Sequence, residues 1–251
     1  MAPACARSLG LPPPSLPTSG RAVPLILASA SPRRARLLRL TGIPFEVFAC
    51  PAEPEPCPRA DPRRAVVQGA CHKALWVARR RPGRLVLGAD TLVVADGQAL
   101  GKPGNADQAH AMLTTLAGRT HQVYTGFALV TCQQQRCRVL WREWVGTQVK
   151  FRPLSPAQIA AYVATAQPFD KAGAYGIQGA ARSFVESIRG SYYNVVGLPV
   201  TRVLRALDAL GQTRYQRRQP GRLRASYRAN PSRPCPRTAG TSTREVTRRS
   251  A

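Results

Sequence analysis

"VPLILASASPRRARLLRLTG", residues 23–42, decides the fold. Its opening, VPLILAS (23–29), is a short unbroken apolar run that reads as a buried strand. The chain then changes period. Ser31 stands where a helix N-cap belongs, and Pro32 takes the first helical position, where its missing N–H costs nothing. Leu37, Leu38 and Leu40 form an apolar face, and Gly42 stops the helix. A strand feeding straight into a capped helix is the beginning of an α/β unit.

Outward from this unit the alternation continues. FEVFAC (45–50) is a second strand, and Ala65, Val66, Ala70, Ala74 and Val77 give residues 63–80 a helical face. RLVLGADTLVVA (84–95) reads as a third strand interrupted at Gly88-Ala89-Asp90. A helix runs from Asn105 through Leu116 and ends at Gly118. QVYTGFALVTC (122–132) and RVLWREWVGTQVKF (138–151) alternate as the two arms of a hairpin around QQQR. Ser155-Pro156-Ala157-Gln158 is a capping box that opens another helix. A last strand at about 183–188 precedes a helix from Pro199 to Leu210. The pattern predicts one α/β domain over residues 23–211, with a mixed sheet because a hairpin interrupts the strand–helix alternation.

The flanks differ in kind. Residues 1–22 are rich in Pro and Ser, without apolar periodicity, and read as a disordered leader. With no acid and few arginines, the leader also has the composition of a weak organellar transit signal. Residues 212–251 hold eleven arginines and one acid, Glu245, and read as a disordered arginine-rich tail. That tail carries about +10 of the formal +25, so the basicity that would suggest nucleic acid is concentrated there, and such binding is expected to be non-specific and confined to the tail. Seven cysteines at irregular spacing predict reduced thiols in a cytoplasmic protein, with Cys132 and Cys137 flanking the hairpin turn rather than holding a metal. No run of eighteen apolar residues exists, so no membrane helix is expected.

Lysine usage points to chemistry. Only Lys73, Lys102, Lys150 and Lys171 interrupt 33 arginines. A chain that writes Arg almost everywhere keeps Lys where a compact ammonium is wanted. SASPRR (29–34), between a strand end and a helix start, offers hydroxyls, helix N-terminal donors and two guanidiniums to an anion, although an ordinary Ser-Pro cap explains it equally. Asp90 in GADTLVV is a lone carboxylate among small residues, suited to holding a divalent metal or accepting a proton from water, or simply a strand-end turn. GKPG (101–104) presents Lys102 on a turn. FDKAGAYGIQG (169–179) places Lys171 and Gln178 on a loop with three glycines, and an amide that both donates and accepts suits a nucleobase edge. In GSYYNVVGLP (190–199), a glycine-punctuated loop, Tyr192 and Tyr193 are placed either to stack or to pack.

Taken in order, LASASPRRARLL, GADTLVV with LGKP, DKAGAYGIQG and GSYYNVVGLP resemble the Maf family of nucleoside triphosphate pyrophosphatases, over residues 24–210. The resemblance implies a mixed central sheet with helices on both faces and two lobes around a cleft, an architecture similar to inosine triphosphatase, often in a homodimer. It implies hydrolysis of a nucleoside triphosphate to the monophosphate and pyrophosphate, assisted by Mg2+ or Mn2+. By the same resemblance Asp90 is the proton acceptor, and Ser29, Arg33, Arg34, Lys73, Lys102 and Lys171 face phosphate. Arg33, Thr91 and Gln178 match the specificity positions of the branch acting on dTTP and UTP. The branch acting on 7-methyl-GTP differs at these places. Two departures stand out: PAEPEP puts Pro54 where the family has a metal-associated Glu, leaving Glu53 or Glu55 to join Asp90 at the metal, and Gln167 replaces a carboxylate just before DKAG. A nucleic-acid-binding module with a degenerate nucleotide fold is the alternative from another class, disfavoured by low aromatic content.

Overall fold

A computed structural model describes residues 24–51 and 61–212. The leader, the tail, and Glu53, Pro54 and Glu55 lie outside the described residues. The elements follow in the order β1 (Leu25–Leu27), α1 (Pro32–Arg39), β2 (Phe45–Val47), α2 (Pro62–Arg80), β3 (Val86–Ala95), β4 (Gln98–Leu100) and α3 (Ala106–Leu116). Then come β5 (Thr120–Gln133), β6 (Arg136–Phe151), α4 (Pro156–Val163), three short 3-10 turns between Gln167 and Phe184, β7 (Val185–Arg189), α5 (Tyr192–Val196) and α6 (Val200–Ala209). They build one mixed seven-stranded sheet in the order β2-β1-β3-β5-β6-β7, with β4 added to β3. β1 is parallel to β2 and β3, whereas β3, β5, β6 and β7 are antiparallel in succession.

Local signals placed the helices well. Asn105 accepts from the Gln108 amide to cap α3, and Ser155 with Gln158 forms the reciprocal capping box on α4. GSYYNVVGLP is not a loop throughout: Ser191 caps the short helix α5, and Gly197 ends it at φ 117°. Burial explains the choice, because Asn194 and Val196 turn inward while Tyr192 and Tyr193 stay outside.

The expected interruption of the third strand is absent. β3 runs unbroken through Gly88, Ala89 and Asp90, and pairs with β5 from Val86↔Val130 to Val94↔Gln122. The small residues are there for α2. A Cβ on Gly88 would lie 2.2 Å from the Ala70 carbonyl, and one on Gly126 would lie 2.4 Å from Val66. The helix backbone rests directly on the sheet at these two points.

Alternation along β3 then divides the core. Val86 joins Ala70, Ala74 and Val77 of α2 on one face, together with Ala128 and Val130. On the other face Leu85, Leu87 and Ala89 pack with α1 and α6, and Val93 and Ala95 pack with α3 and α4. Helices therefore cover both faces, as expected, and that second face carries two separate cores along one strand. Thr91 falls between them.

The cysteine expectation needs one correction. Cys132 and Cys137 face each other across the hairpin at paired register positions and are joined in a disulfide, with Cα atoms 4.0 Å apart. Cross-strand neighbours of this kind bring their thiols together by sheet geometry alone. Cys71 is a free thiol.

Candidate active site

The sheet leaves a notch. On its outer edge β3 pairs with β1 at Val86 and Leu87 and with β4 at Val93–Ala95. Among the described residues, 88–92 between them pair with no strand on that side. The β1–α1 turn ends beside this notch, and a cavity of about 850 Å³ opens there. That volume suits a ligand of nucleotide size.

Asp90 and Thr91 occupy the notch on opposite faces of β3. Asp90 points toward α2, where the Lys73 ammonium donates to Oδ1 at 2.7 Å. Lys73 is buried and Asp90 about one-fifth exposed, so the carboxylate is fixed in direction while remaining open to the cavity. Gly69, one turn before Lys73 on α2, makes the approach possible: a Cβ there would lie 2.3 Å from Asp90 Oδ2. The sequence thus supplies a carboxylate, its cationic partner and the clearance between them from one strand and one helix.

On the opposite face Arg34 is the organising residue. Its Nε donates to the Gly197 carbonyl at 2.8 Å, Nη1 to Ser29 Oγ at 3.1 Å and Nη2 to Thr91 Oγ1 at 2.9 Å. Thr91 shares a further hydrogen bond with Thr125, whose hydroxyl donates to the Asn194 carbonyl. A planar guanidinium fork holding three strand and loop ends is a role lysine could not fill. Ser31 sits at the N-cap of α1, but its side chain makes no capping bond.

The far wall comes from FDKAGAYGIQG. Arg33 reaches across the cavity and donates to Asp170 Oδ2 at 2.7 Å, while Lys171 donates to Asp170 Oδ1 and to the Gln167 carbonyl. Burial alone would raise the Asp170 carboxyl, but hydrogen bonds from Lys171 and Arg33 outweigh it and hold the group below its ordinary range. Gly173 lies at φ 68° and donates to the Gly101 carbonyl, tying this loop to the GKPG turn that carries Lys102. The left-handed backbone at Gly173 is a conformation glycine adopts without strain.

Every site residue named from the sequence within the described residues lines this one cavity: Ser29, Arg33, Arg34, Lys73, Asp90 and Thr91 from the sheet side, Lys102, Lys171 and Gln178 from the loops. The fourth lysine, Lys150, pairs with Glu186 and does not line it. Sequence reasoning missed Asp170, which joins two of the cations, and Gln68 and His72, which face the cavity from α2. The i, i+4 spacing of Gln68 and His72, with Lys73 beside them, was the available signal.

The family model of Maf-like proteins matches residues 24–210. This chain belongs to the Maf-like family. The Maf-like match spans the whole described domain, including every cavity residue discussed. A protein of Symbiobacterium thermophilum named dTTP/UTP pyrophosphatase is 52% identical over 188 residues, covering 74% of this chain and 94% of that protein. One of the same name from Gloeobacter violaceus is 51% identical over 176 residues, 70% of this chain and 90% of its own. A third, from Geobacter metallireducens, is 48% identical over 187 residues, 74% of this chain and 96% of its own.

Among the described residues no three His, Cys, Asp or Glu side chains cluster as a metal cage. A magnesium-type ion does not need one, since it keeps several waters and binds through one or two carboxylates plus substrate phosphates. Asp90 fits that sparse mode. Among the described residues, no helix is long and apolar enough to cross a membrane.

Proposed function

We propose that the protein is a nucleoside triphosphate pyrophosphatase acting on dTTP and UTP, releasing the monophosphate and pyrophosphate. The single observation carrying this is the Asp90–Lys73 pair set in a notch surrounded by cations. Among the described residues, Arg33, Arg34, Lys73, Lys102 and Lys171 line one cavity with Asp90 and Asp170, five positive groups against two negative ones. A triphosphate of about four negative charges is the complementary ligand.

In this reading Asp90 takes a proton from a water as that water attacks the α-phosphorus, and the bond to the β-phosphate bridge breaks with pyrophosphate leaving. Lys73 fixes the direction of the carboxylate, so no side-chain reorganisation precedes proton transfer. Lys102, Lys171 and Arg33 offset charge on the phosphates, while Arg34 holds Ser29 and Thr91 at the floor. Bound Mg2+ or Mn2+, held by Asp90 and by Glu53 or Glu55, would supply further charge neutralisation. Arg33, Thr91 and Gln178 read the base. Names of the relatives, at 48–52% identity, support the choice of dTTP and UTP over 7-methyl-GTP. Acting on nucleotide precursors, the protein would work in the cytoplasm, as one folded domain over residues 23–211 and as a homodimer, with nucleic acid bound only non-specifically by the tail.

Pyrophosphate release from dTTP, UTP, 7-methyl-GTP and purine triphosphates, with and without Mg2+ or Mn2+, tests the reading. Asp90→Asn is expected to lower turnover of dTTP on the order of 10²-fold or more, with the melting temperature recorded beside it because the variant also takes the carboxylate away from the buried Lys73 ammonium. Equal turnover of variant and parent would remove Asp90 from the mechanism.

A further inference from the structure

His121 lies outside the cavity and has no part in the chemistry above. It sits on β5 opposite Val149, is 2% exposed, and its ring meets Phe151 edge-on at 4.9 Å. Its Nε2 lies 2.7 Å from the hydroxyl of Tyr175, 54 residues further along the chain. Tyr175 lines the cavity, midway between Lys171 and Gln178 in the stretch that forms the far wall. Its ring also meets Phe151 at 4.7 Å.

The proton can be assigned by counting unpaired groups. His121 Nδ1 is buried without a partner. If Nε2 carried the proton, Tyr175 would accept, leaving both its own hydroxyl proton and the Nδ1 lone pair unpaired. If Nδ1 carries the proton, Nε2 accepts from the Tyr175 O–H and only the Nδ1–H is left over. The second tautomer leaves one orphan instead of two.

We propose that His121 is a positioning residue for base recognition: by accepting the Tyr175 hydroxyl it pins the middle of the Lys171–Gln178 stretch to the β5 core and so fixes where Gln178 meets the base. Three features make this pin matter. The stretch has no strand pairing, and Gly173 and Ala174 both lie at positive φ. Gly173 hydrogen-bonds to Gly101 near its beginning, the Asp170 pair with Arg33 lies just before it, and Ala174 and Ile177 add core packing without fixing direction. Tyr175 is the residue of the stretch whose side chain hydrogen-bonds into the sheet, giving direction where the buried Ile177 gives only packing, and a buried hydroxyl holds its place only while its hydrogen bond is kept.

The proposal rests on the assignment of Gln178 as a base reader, and the test separates the two. The full chain is assayed as parent, His121→Phe, Tyr175→Phe and the double variant, for kcat, KM and the dTTP-to-dGTP selectivity ratio, with melting temperature recorded beside them. H121F leaves the Tyr175 hydroxyl buried without an acceptor. It should raise KM for dTTP and lower selectivity, each by about tenfold, with kcat changed much less. Adding Y175F to H121F removes the orphaned hydroxyl and should recover melting temperature, while selectivity stays low because the hydrogen bond that places Gln178 is missing in both variants. Unchanged selectivity in H121F, or a double variant with the selectivity of the parent, overturns the pin. Should H121F not fold, Y175F alone decides, with selectivity expected to fall threefold or more and an unchanged ratio overturning the proposal. A parent enzyme with no preference for dTTP would instead overturn the reading of Gln178.

Discussion

Gly69→Ala is the most discriminating single change at the Asp90 site. A methyl at that position would meet Asp90 Oδ2 at 2.3 Å and Asp90 Cγ at 2.8 Å. Carbon and a carboxylate oxygen come into ordinary contact at roughly 3.2 Å, so the carboxylate has to retreat by about 0.9 Å or α2 has to lift by as much. Lifting is resisted, because the same helix backbone lies against Gly88 and Gly126 at two further points. Asp90 therefore moves, and its bond to Lys73 with it. A displacement near 1 Å is worth on the order of 10²-fold in turnover when the displaced group must meet a reacting atom. Helix propensity works in the opposite sense, since Ala replaces Gly inside a helix with a gain of about 1 kcal/mol. The expected result is thus a helix locally favoured and an enzyme slowed, measured as pyrophosphate release from dTTP beside a thermal melt. Turnover within twofold of the parent would refute the claim that Asp90 has to stand where Gly69 allows it.

Two further outcomes follow from other parts of the molecule. Burial lowers the His121 imidazole from 6.5 to about 4, so the unfolded chain binds more protons between those values and stability falls as pH drops through that window. The loss approaches 3 kcal/mol near pH 4, from about 2.5 units at 1.36 kcal/mol each; it should be absent in urea melts of H121F, and an identical acid slope in both proteins would contradict it. The disulfide lies six residues along β5 from Gly126, the register partner of Asp90, or about 20 Å away at strand spacing. Dithiothreitol is accordingly expected to leave kcat/KM for dTTP unchanged, and a severalfold loss would show that the hairpin tip is coupled to the cavity.

Much of the fold was legible because its signals are local. The Ser155–Gln158 capping box and the hairpin around QQQR sit where the pattern placed them. The errors had tertiary causes. Gly88-Ala89 looked like a strand break, yet the glycine exists to admit α2, whose Ala70 and Ala74 lie fourteen or more residues away in sequence, where no window around GADT reveals them. Cys132 and Cys137 looked unpaired when counted among seven, although hairpin register alone sets them opposite one another. At the site, scarcity of lysine singled out three residues that share one cavity, which the fourth lysine does not line. Asp170 was overlooked because an acid beside a lysine on a loop reads as a solvated pair, and only the reach of Arg33 from α1 gives it a second partner. His121 carried no sequence signal, since its partner is 54 residues distant.

The notch in β3 has a further consequence. An exposed strand edge is ordinarily a template for another chain to add itself, the first step of edge-to-edge aggregation. Here, among the described residues, the unpaired run is five residues long, with Gly88, Ala89 and Leu92 buried, and is walled at one end by β1 and at the other by β4. An intruding strand cannot extend past either wall, so the edge admits a compact guest but gives a polymer no room to grow. Main-chain groups at the notch are also beyond the reach of side-chain substitution, so a catalytic domain can vary its cavity walls while this part of the docking surface stays the same.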